Sequence, residues 1–335
     1  MTRALCTATV AAVALFAVCA QRGPVERTAS IAAALPPAAA VPGWSWSATH
    51  EDLVPAWVRA AAFRVTIAIV DTGADTSVPA FSGKAVQTWD VTTDTPAARD
   101  TLGHGTFVAS IAGGSTTTVG FGGDARLQIV RANSGGTDFS DVDEAKAITW
   151  AVDHGANIVN LSIGGPETSQ VEHDAIEYAL SKGVLLVAAA GNLAQDGNPT
   201  TYPAALIGRS GLVVGAADAS GRRARFSSTG PYVDVLAPGV NVVGALAVTA
   251  PPGLFARAPG LGLPGAYGYG TGTSFAAPVV AGAAALVMGA NPMLDAGGVA
   301  RVLEQTASGN GRWTSDLAYG TIDVAAAVRL ALSGG

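Results

Sequence analysis

Five short apolar runs alternate with segments of helical periodicity between residues 65 and 217. The apolar runs are VTIAIV (65–70), RLQIVRA (126–132), NIVNLSI (157–163), GVLLVAAAG (183–191) and GLVVGAA (211–217). The helical segments cover residues 104–112, 141–155 and 169–183. VTIAIV is a continuous run rich in β-branched residues, as is typical of a strand in a parallel sheet that is covered on both faces, and the other four runs are similar. The alternation predicts an α/β domain with a mostly parallel central sheet flanked by helices.

A longer apolar segment covers residues 275–290, directly after the polar stretch GTGTS. It is shorter than the roughly 20 residues that a membrane-spanning helix needs, and it contains Pro278 and Gly282. We interpret it as a buried core helix and predict no stable membrane span in the mature chain.

The N-terminal segment MTRALCTATVAAVALFAVCAQ has one positive charge, at Arg3, before an apolar run that ends in VCA. This pattern predicts a signal peptide over residues 1–20 and a secreted or extracytoplasmic protein. A lipoprotein anchored through Cys19 is the alternative. Residues 21–60 are rich in alanine and proline and are interpreted as a linker or short pro-region, so the folded domain is predicted to cover residues 61–335.

The chain has 335 residues, a net charge of −6 and only 13% charged residues. This balance lacks the positive charge expected of a nucleic-acid-binding protein, and the apolar content is too high for a disordered chain. Both cysteines, Cys6 and Cys19, lie in the predicted leader. The mature chain is therefore predicted to contain no thiol.

Three short motifs carry candidate chemistry: IVDTGAD (69–75), GHGTFVASIAGG (103–114) and GTSFAAP (272–278). They supply Asp71, His104 and Ser274. A serine nucleophile needs a base to take its proton, and the base needs a carboxylate to fix its tautomer. Asp71 alone could be a turn residue and Ser274 alone a helix cap. The three motifs together favour a catalytic triad.

The order of these motifs, with sheet segments between them, resembles the subtilisin-like serine proteases (subtilases) from about residue 65 to residue 328. The resemblance implies a three-layer subtilisin-like peptidase domain. It also implies a serine endopeptidase that works through an acyl-enzyme intermediate, with Asp71, His104 and Ser274 as its triad. The alternative is a catalytically silent or occluded binding or scaffold protein on the same fold.

Two further segments match the family pattern. AAAGN (188–192) implies that Asn192 contributes its side chain to the oxyanion hole, together with the backbone N–H of Ser274. NLSIGG (160–165) implies an edge strand that pairs with the substrate backbone. The substrate-binding residues implied in this way are Ser162, Ile163, Gly164, Ala190 and Gly191. Such small residues leave space for an apolar or aromatic substrate side chain.

Asp100 lies four residues before His104. We interpret it as a solvated loop charge or as a contact at the rim of the substrate groove, and not as a catalytic group. The Pro/Gly-rich segment 249–268 is predicted to form another loop at this rim.

No cofactor is predicted. Relatives bind calcium, but the candidate loop GGSTTTVGFGG (113–123) contains no acidic residue, so no metal ligand is assigned. The predicted partners are protein or peptide substrates, and the chain is predicted to be a monomer.

Overall fold

Seven parallel strands form the central sheet of the computed structural model, which describes residues 43–115, 120–135, 138–249, 254–259 and 265–334. The strands are β1 (Thr66–Asp71), β2 (Val86–Asp90), β3 (Arg126–Arg131), β4 (Ile158–Leu161), β5 (Leu185–Ala189), β6 (Leu212–Ala217) and β7 (Val235–Pro238). Their order across the sheet is β2-β3-β1-β4-β5-β6-β7. Because all of them are parallel, their carboxyl ends meet at one end of the sheet.

Helices cover both faces of this sheet. They are α1 (Gly43–Thr49), α2 (Ala56–Ala61), α3 (His104–Gly113), α4 (Asp141–Asp153), α5 (Gln170–Ser181), α6 (Ala204–Ile207), α7 (Thr273–Ala290), α8 (Ala296–Thr306) and α9 (Val324–Leu332). Alternate residues of a strand point to opposite faces. In β1, Ile67 and Ile69 therefore join one core with α3 and α7, whereas Ala68 and Val70 join the other with α4 and α5. The predicted three-layer α/β fold is confirmed.

Helix α7 is the segment that was predicted to be a core helix. By its length and composition alone, this helix could cross a membrane. However, 83% of its 18-residue window is buried inside the protein. A methyl group on Gly282 would lie 2.7 Å from the Ala112 carbonyl oxygen of α3 and 2.8 Å from the Gly122 nitrogen. Only glycine permits this close approach of α7 to α3 and to the loop before β3.

A small antiparallel sheet lies beside α3. Its strands are β8 (Val242–Ala245), β9 (Ala256–Arg257) and β10 (Tyr267–Gly270), in the order β8-β10-β9. The rim loop predicted for residues 249–268 thus contains β9 and the start of β10, and the rest of it lies largely outside the described residues.

The last part of the predicted linker, from residue 43 onward, is helical and not an irregular linker. Helices α1 and α2 occupy residues 43–61, and Val58 is completely buried against the core. Further anchors are the bond between His50 Nδ1 and Asp323 Oδ2 (2.8 Å) and the bond from the Asp124 N–H to the Arg59 carbonyl (2.9 Å). This segment belongs to the folded domain, whereas the predicted signal peptide and residues 21–42 lie outside the described residues.

Asp234, directly before β7, is a buried acid whose titration is linked to the stability of the fold. It is 1% exposed and accepts a hydrogen bond from the Val213 N–H (2.8 Å). Burial raises its pKa to about 8, and the nearby Glu304 charge adds to this effect. The folded protein therefore binds this proton more tightly than the unfolded chain does. The stability that the group contributes is greatest at low pH and is lost as the pH rises to about 8.

We expect Asp234→Asn to remove this pH dependence, because the amide is neutral at every pH and can still accept from Val213. The free energy of unfolding, measured by urea denaturation from about pH 5 to about pH 8, should decline less steeply in the variant, by up to about 1.4 kcal/mol per pH unit. The exposed control Asp196→Asn should follow the wild type. Parallel curves for wild type and Asp234→Asn would contradict the prediction.

Candidate active site

His104 and Asp71 meet at the carboxyl end of the sheet. Asp71 is the last residue of β1 and is fully buried, and His104 is the first residue of α3. His104 Nδ1 lies 2.8 Å and 3.0 Å from the two carboxylate oxygens, and the Thr72 N–H donates to Asp71 Oδ1 (2.7 Å). A carboxylate only accepts, so Nδ1 carries the proton and Nε2 of the neutral ring is an acceptor.

The start of α3 approaches β1 closely enough for this bond because residue 105 is glycine. A methyl group on Gly105 would lie 2.1 Å from the Gly73 carbonyl oxygen and 3.0 Å from Asp71 Oδ1. Any larger residue would push His104 away from its carboxylate.

Asp100 is neither a solvated charge nor a rim contact, so both readings from the sequence are wrong. It is completely buried. Its Oδ1 accepts from the Thr72 hydroxyl (3.0 Å) and from the N–H groups of Leu102 (3.0 Å) and Gly103 (2.7 Å). Its Oδ2 accepts from the Thr106 N–H (2.9 Å) and hydroxyl (2.5 Å). The carboxylate thus ties the end of β1 to the first turn of α3 and fixes the backbone on both sides of His104.

Ser274 lies in the first turn of α7, and its carbonyl is tied to the sheet. Pro278 has no N–H, so the usual bond from residue 278 to the Ser274 carbonyl is missing from the helix. The Ser162 hydroxyl donates to this carbonyl instead (2.7 Å), and it accepts from the Asn160 side-chain amide (2.9 Å). The break in the helix ladder is thereby compensated by the segment at the end of β4.

Phe275 brings the start of α7 next to His104. The two ring centroids are 5.5 Å apart. Phe275 is 1% exposed and also packs against Phe107 and Phe255, with ring centroids 5.0 Å and 5.7 Å away. The aromatic cluster holds the residue that follows Ser274 beside the imidazole.

The side-chain amide of Asn192 has a defined orientation. Its Oδ1 accepts from the Thr273 N–H (2.9 Å) and hydroxyl (3.1 Å). A backbone N–H can only donate, so the atom facing it must be the oxygen, and Nδ2 points elsewhere. A methyl group on Gly272 would lie 3.3 Å from Nδ2. The amide N–H group is therefore beside the backbone that leads into Ser274.

The five predicted substrate-binding residues follow two neighbouring strands. Ser162, Ile163 and Gly164 come after β4, and Ala190 and Gly191 come after β5. The prediction of an edge strand is wrong for β4, which lies in the middle of the sheet. Residues Ile158–Leu161 are paired on both sides, by β1 and β5, so a peptide cannot add to the strand itself.

One side of that segment is already paired. The Gly165 N–H donates to the Tyr202 carbonyl (2.9 Å), and the Tyr202 N–H donates to the Gly165 carbonyl (2.8 Å). In an extended chain the N–H and C=O of successive residues point in opposite directions. In that conformation, those of Gly164 would face away from Tyr202.

Thr201 fills the gap between the two predicted walls. A methyl group on Gly164 would lie 2.9 Å from Thr201 Cγ2, and one on Gly191 would lie 2.4 Å from Thr201 Oγ1. Thr201 is 5% exposed. Thr201 thus lies where the sequence suggested space for an aromatic substrate side chain.

Sequence comparison agrees with this geometry. Residues 64–321 match the profile of the Subtilase family (Peptidase_S8), which is most of the chain. The chain belongs to the subtilase family.

This subtilase is 36% identical over 269 residues to the "Thermophilic serine proteinase" of Bacillus sp. (strain AK1) and 34% identical over 251 residues to "Subtilisin E" of Bacillus subtilis (strain 168). The alignments cover 77% and 73% of this chain, which spans 60% of the length of each relative.

Solved structures show the same likeness. Fervidolysin from Fervidobacterium pennivorans, described as a keratinolytic enzyme related to subtilisin, superposes with a TM-score of 0.72 at 30% identity, covering 85% of this chain and 45% of fervidolysin. A cold-adapted subtilisin-like serine proteinase gives a TM-score of 0.65 at 28% identity, covering 78% of this chain and 88% of its own.

That the chain has no assigned metal ligand stays a prediction. Among the described residues, no three His, Cys, Asp or Glu side chains are grouped so that they could hold a metal ion. Residues 116–119 of the loop considered for calcium lie outside the described residues.

Asp100, Thr201 and the bond from Ser162 to the Ser274 carbonyl were missed by reasoning from the sequence. For Asp100 a local signal exists, because Asp side chains commonly accept from the N–H groups two and three residues later. Thr201 has no comparable signal, since its neighbours Gly164 and Gly191 come from other parts of the chain.

We expect Asp100→Asn to destabilise the subtilase by about 2–3 kcal/mol, because the amide NH₂ would face donors that the carboxylate now accepts from. Urea denaturation measures the change, with Ser274→Ala as the common background to prevent self-digestion. Asp94→Asn, at an exposed position of the same loop, should cost less than about 0.5 kcal/mol. Equal stabilities for the two variants would rule out the anchoring role of Asp100.

Proposed function

We propose that this subtilase is a serine endopeptidase that cleaves peptide bonds through an acyl-enzyme intermediate. The observation that carries the proposal is the hydrogen bond from His104 Nδ1 to the buried Asp71 carboxylate. It leaves Nε2 as the acceptor for the Ser274 hydroxyl proton. The similarity to a serine proteinase over 77% of the chain supports the same reaction.

In the first half of the reaction, Ser274 Oγ attacks the peptide carbonyl carbon while His104 takes its proton. Asp71 stabilises the resulting imidazolium. The negative charge that develops on the substrate oxygen is stabilised by Asn192 Nδ2–H and by the Ser274 N–H in the first turn of α7. The carbon–nitrogen bond then breaks, and His104 gives its proton to the leaving amine.

In the second half, water repeats the same steps. His104 takes a proton from the water, whose oxygen attacks the acyl carbon, and the proton returns to Ser274 as the ester bond breaks. The same two N–H groups stabilise the second tetrahedral intermediate, so no cofactor enters this scheme.

The alternative from the sequence is a binding or scaffold protein whose site is intact but unused or occluded. The Asp71–His104 bond is compatible with both functions. The similarity to serine proteinases and subtilisins favours the peptidase.

We further propose that the enzyme acts outside the cytoplasm, on protein or peptide substrates. This part rests on the leader that the sequence predicts over residues 1–20. Its alternative remains attachment through a lipidated Cys19, and a monomeric state stays a prediction.

A fluorophosphonate probe tests the proposed nucleophile. We expect covalent labelling of the folded protein at Ser274, complete loss of labelling in Ser274→Ala, and normal labelling in the control Ser181→Ala, which removes an exposed hydroxyl. Peptide hydrolysis by Ser274→Ala should fall by about 10⁶-fold, the magnitude known for loss of the triad serine in subtilisin itself. A folded wild-type protein that resists the probe would favour the occluded scaffold.

Thr201 limits the substrate side chain next to the cleaved bond in this scheme. Its methyl and hydroxyl groups occupy the gap between Gly164 and Gly191. A bulky side chain would have to displace a buried threonine, so we propose that the enzyme prefers small residues such as alanine at this position.

Accordingly, Thr201→Gly should raise kcat/KM for a phenylalanyl peptide p-nitroanilide, relative to its alanyl counterpart, by about 10-fold or more. The neighbouring exposed position provides a control, Thr200→Gly, which should leave the ratio unchanged. A wild-type enzyme that already prefers phenylalanine would show that Thr201 does not close the pocket.

A further inference from the structure

A cavity of about 400 Å³ adjoins the segment that pairs with the peptide. It lies between residues 163–165, the first turn of α4 and the start of α5. A volume of this size is in the range of ligand-binding pockets. The proposed triad does not use it.

The cavity is acidic. Asp141 and Glu144 of α4, Glu172 of α5 and Glu167 of the intervening loop line it. None of the described residues in its lining is Lys, Arg or His. Four acidic residues therefore line one space, and the nearby His173, which lowers the pKa of Glu172, lies outside the lining.

The buried Glu144 side chain gives independent evidence that this cavity binds a hydrogen-bond donor. It is 5% exposed, and its Oε1 oxygen has no hydrogen-bond partner among the described residues. Burial raises the pKa of Glu144 well above its usual range, and the neighbouring Glu172 and Asp141 raise it further. Burial also raises the pKa of Glu172, although the hydroxyl of Thr168 donates to its carboxylate. An unsatisfied buried acid costs stability, and such groups gather at functional sites.

The cavity lies within reach of a bound peptide. Ser162 contacts Ser274 through the 2.7 Å bond to its carbonyl, and the cavity begins at the next residue, Ile163. An extended peptide advances about 3.3 Å per residue. In a peptide that is attacked by Ser274 and paired with Gly164, the residue about two to four positions before the cleaved bond would place its side chain at the cavity.

We propose that this cavity binds the cationic group of an arginine or lysine side chain of the substrate, upstream of the cleaved bond, and that the enzyme selects basic residues there. The inference rests on the proposed peptidase function. A guanidinium group supplies several donors, one for the unpartnered Glu144 oxygen and others for the neighbouring carboxylates, and such charge-assisted hydrogen bonds are strong and selective. A metal ion fits less well, because no three acidic side chains of the described residues are grouped to hold one.

Matched peptide substrates test the preference. They carry alanine at the cleaved bond and, at the second, third or fourth residue before it, arginine, lysine, citrulline or norleucine. Citrulline has the shape of arginine without its charge. At one of the three positions we expect kcat/KM for arginine and lysine to exceed that for citrulline and norleucine by about 10-fold or more. Equal rates for arginine and citrulline at all three positions would overturn the proposal.

Variants locate the effect. Glu144→Gln and Glu172→Gln should each lower the arginine-to-citrulline ratio toward one, because they keep the shape and remove the carboxyl group that would ionise beside the bound cation. Glu177→Gln, on the exposed face of α5, is the matched control and should keep the wild-type ratio. A ratio that persists in both cavity variants, or that falls equally in Glu177→Gln, would contradict the site.

Binding separates this inference from the proposed function. If the wild type cleaved none of the peptides, the peptidase proposal would fail first. Calorimetry on Ser274→Ala would then still test the cavity, since tighter binding of the arginine peptide than of the citrulline peptide supports it and equal binding refutes it.

Discussion

The packing of α7 inside the protein links the chemistry of this chain to its fold. All residues of this helix from Thr273 to Val287 are buried, and it contacts α3, α2 and the strands β4 to β7. Close-packed interiors do not allow such a helix to shift without opening cavities. Its first turn therefore has a fixed position relative to the sheet, and the Ser162 hydroxyl ties that turn to the end of β4 where Pro278 interrupts the helix ladder.

Most of the fold could be predicted from the pattern of apolar residues. The five predicted strands and three predicted helices end within two residues of the observed ones, because continuous apolar runs and regular periodicity reflect burial directly. Strand β2 was missed because its VQTWD sequence lies at the edge of the sheet and is only half buried. Helices α1 and α2 were missed because the alanine- and proline-rich composition of this segment is typical of a linker. Nevertheless, residues such as Val58 pack on the core.

Those residues of the candidate site that lie within the sequence motifs could be predicted. Asp71 and His104 meet as the sequence suggested. Asp71 is the last residue of β1 and His104 is the first residue of α3, so both lie at the carboxyl end of the parallel sheet. The surroundings depend on contacts between distant segments. Asp100 is buried because Thr72 and the start of α3 supply donors to both of its oxygens, and the four carboxyl groups of the cavity come together only when α4 and α5 pack side by side.

Phe275 has a chemical consequence beyond packing. Thioether side chains are readily converted to sulfoxides by peroxide, which makes them polar and disrupts packed sites. The ring beside His104 contains no sulfur. Within the described residues the methionines are Met288 and Met293, and Met288 is fourteen residues further along α7 from Ser274, about 21 Å away at 1.5 Å per residue. Oxidants that react with thioethers thus meet Met288 far from the proposed nucleophile Ser274, so the oxidisable side chain and the proposed reacting group lie at opposite ends of the same helix.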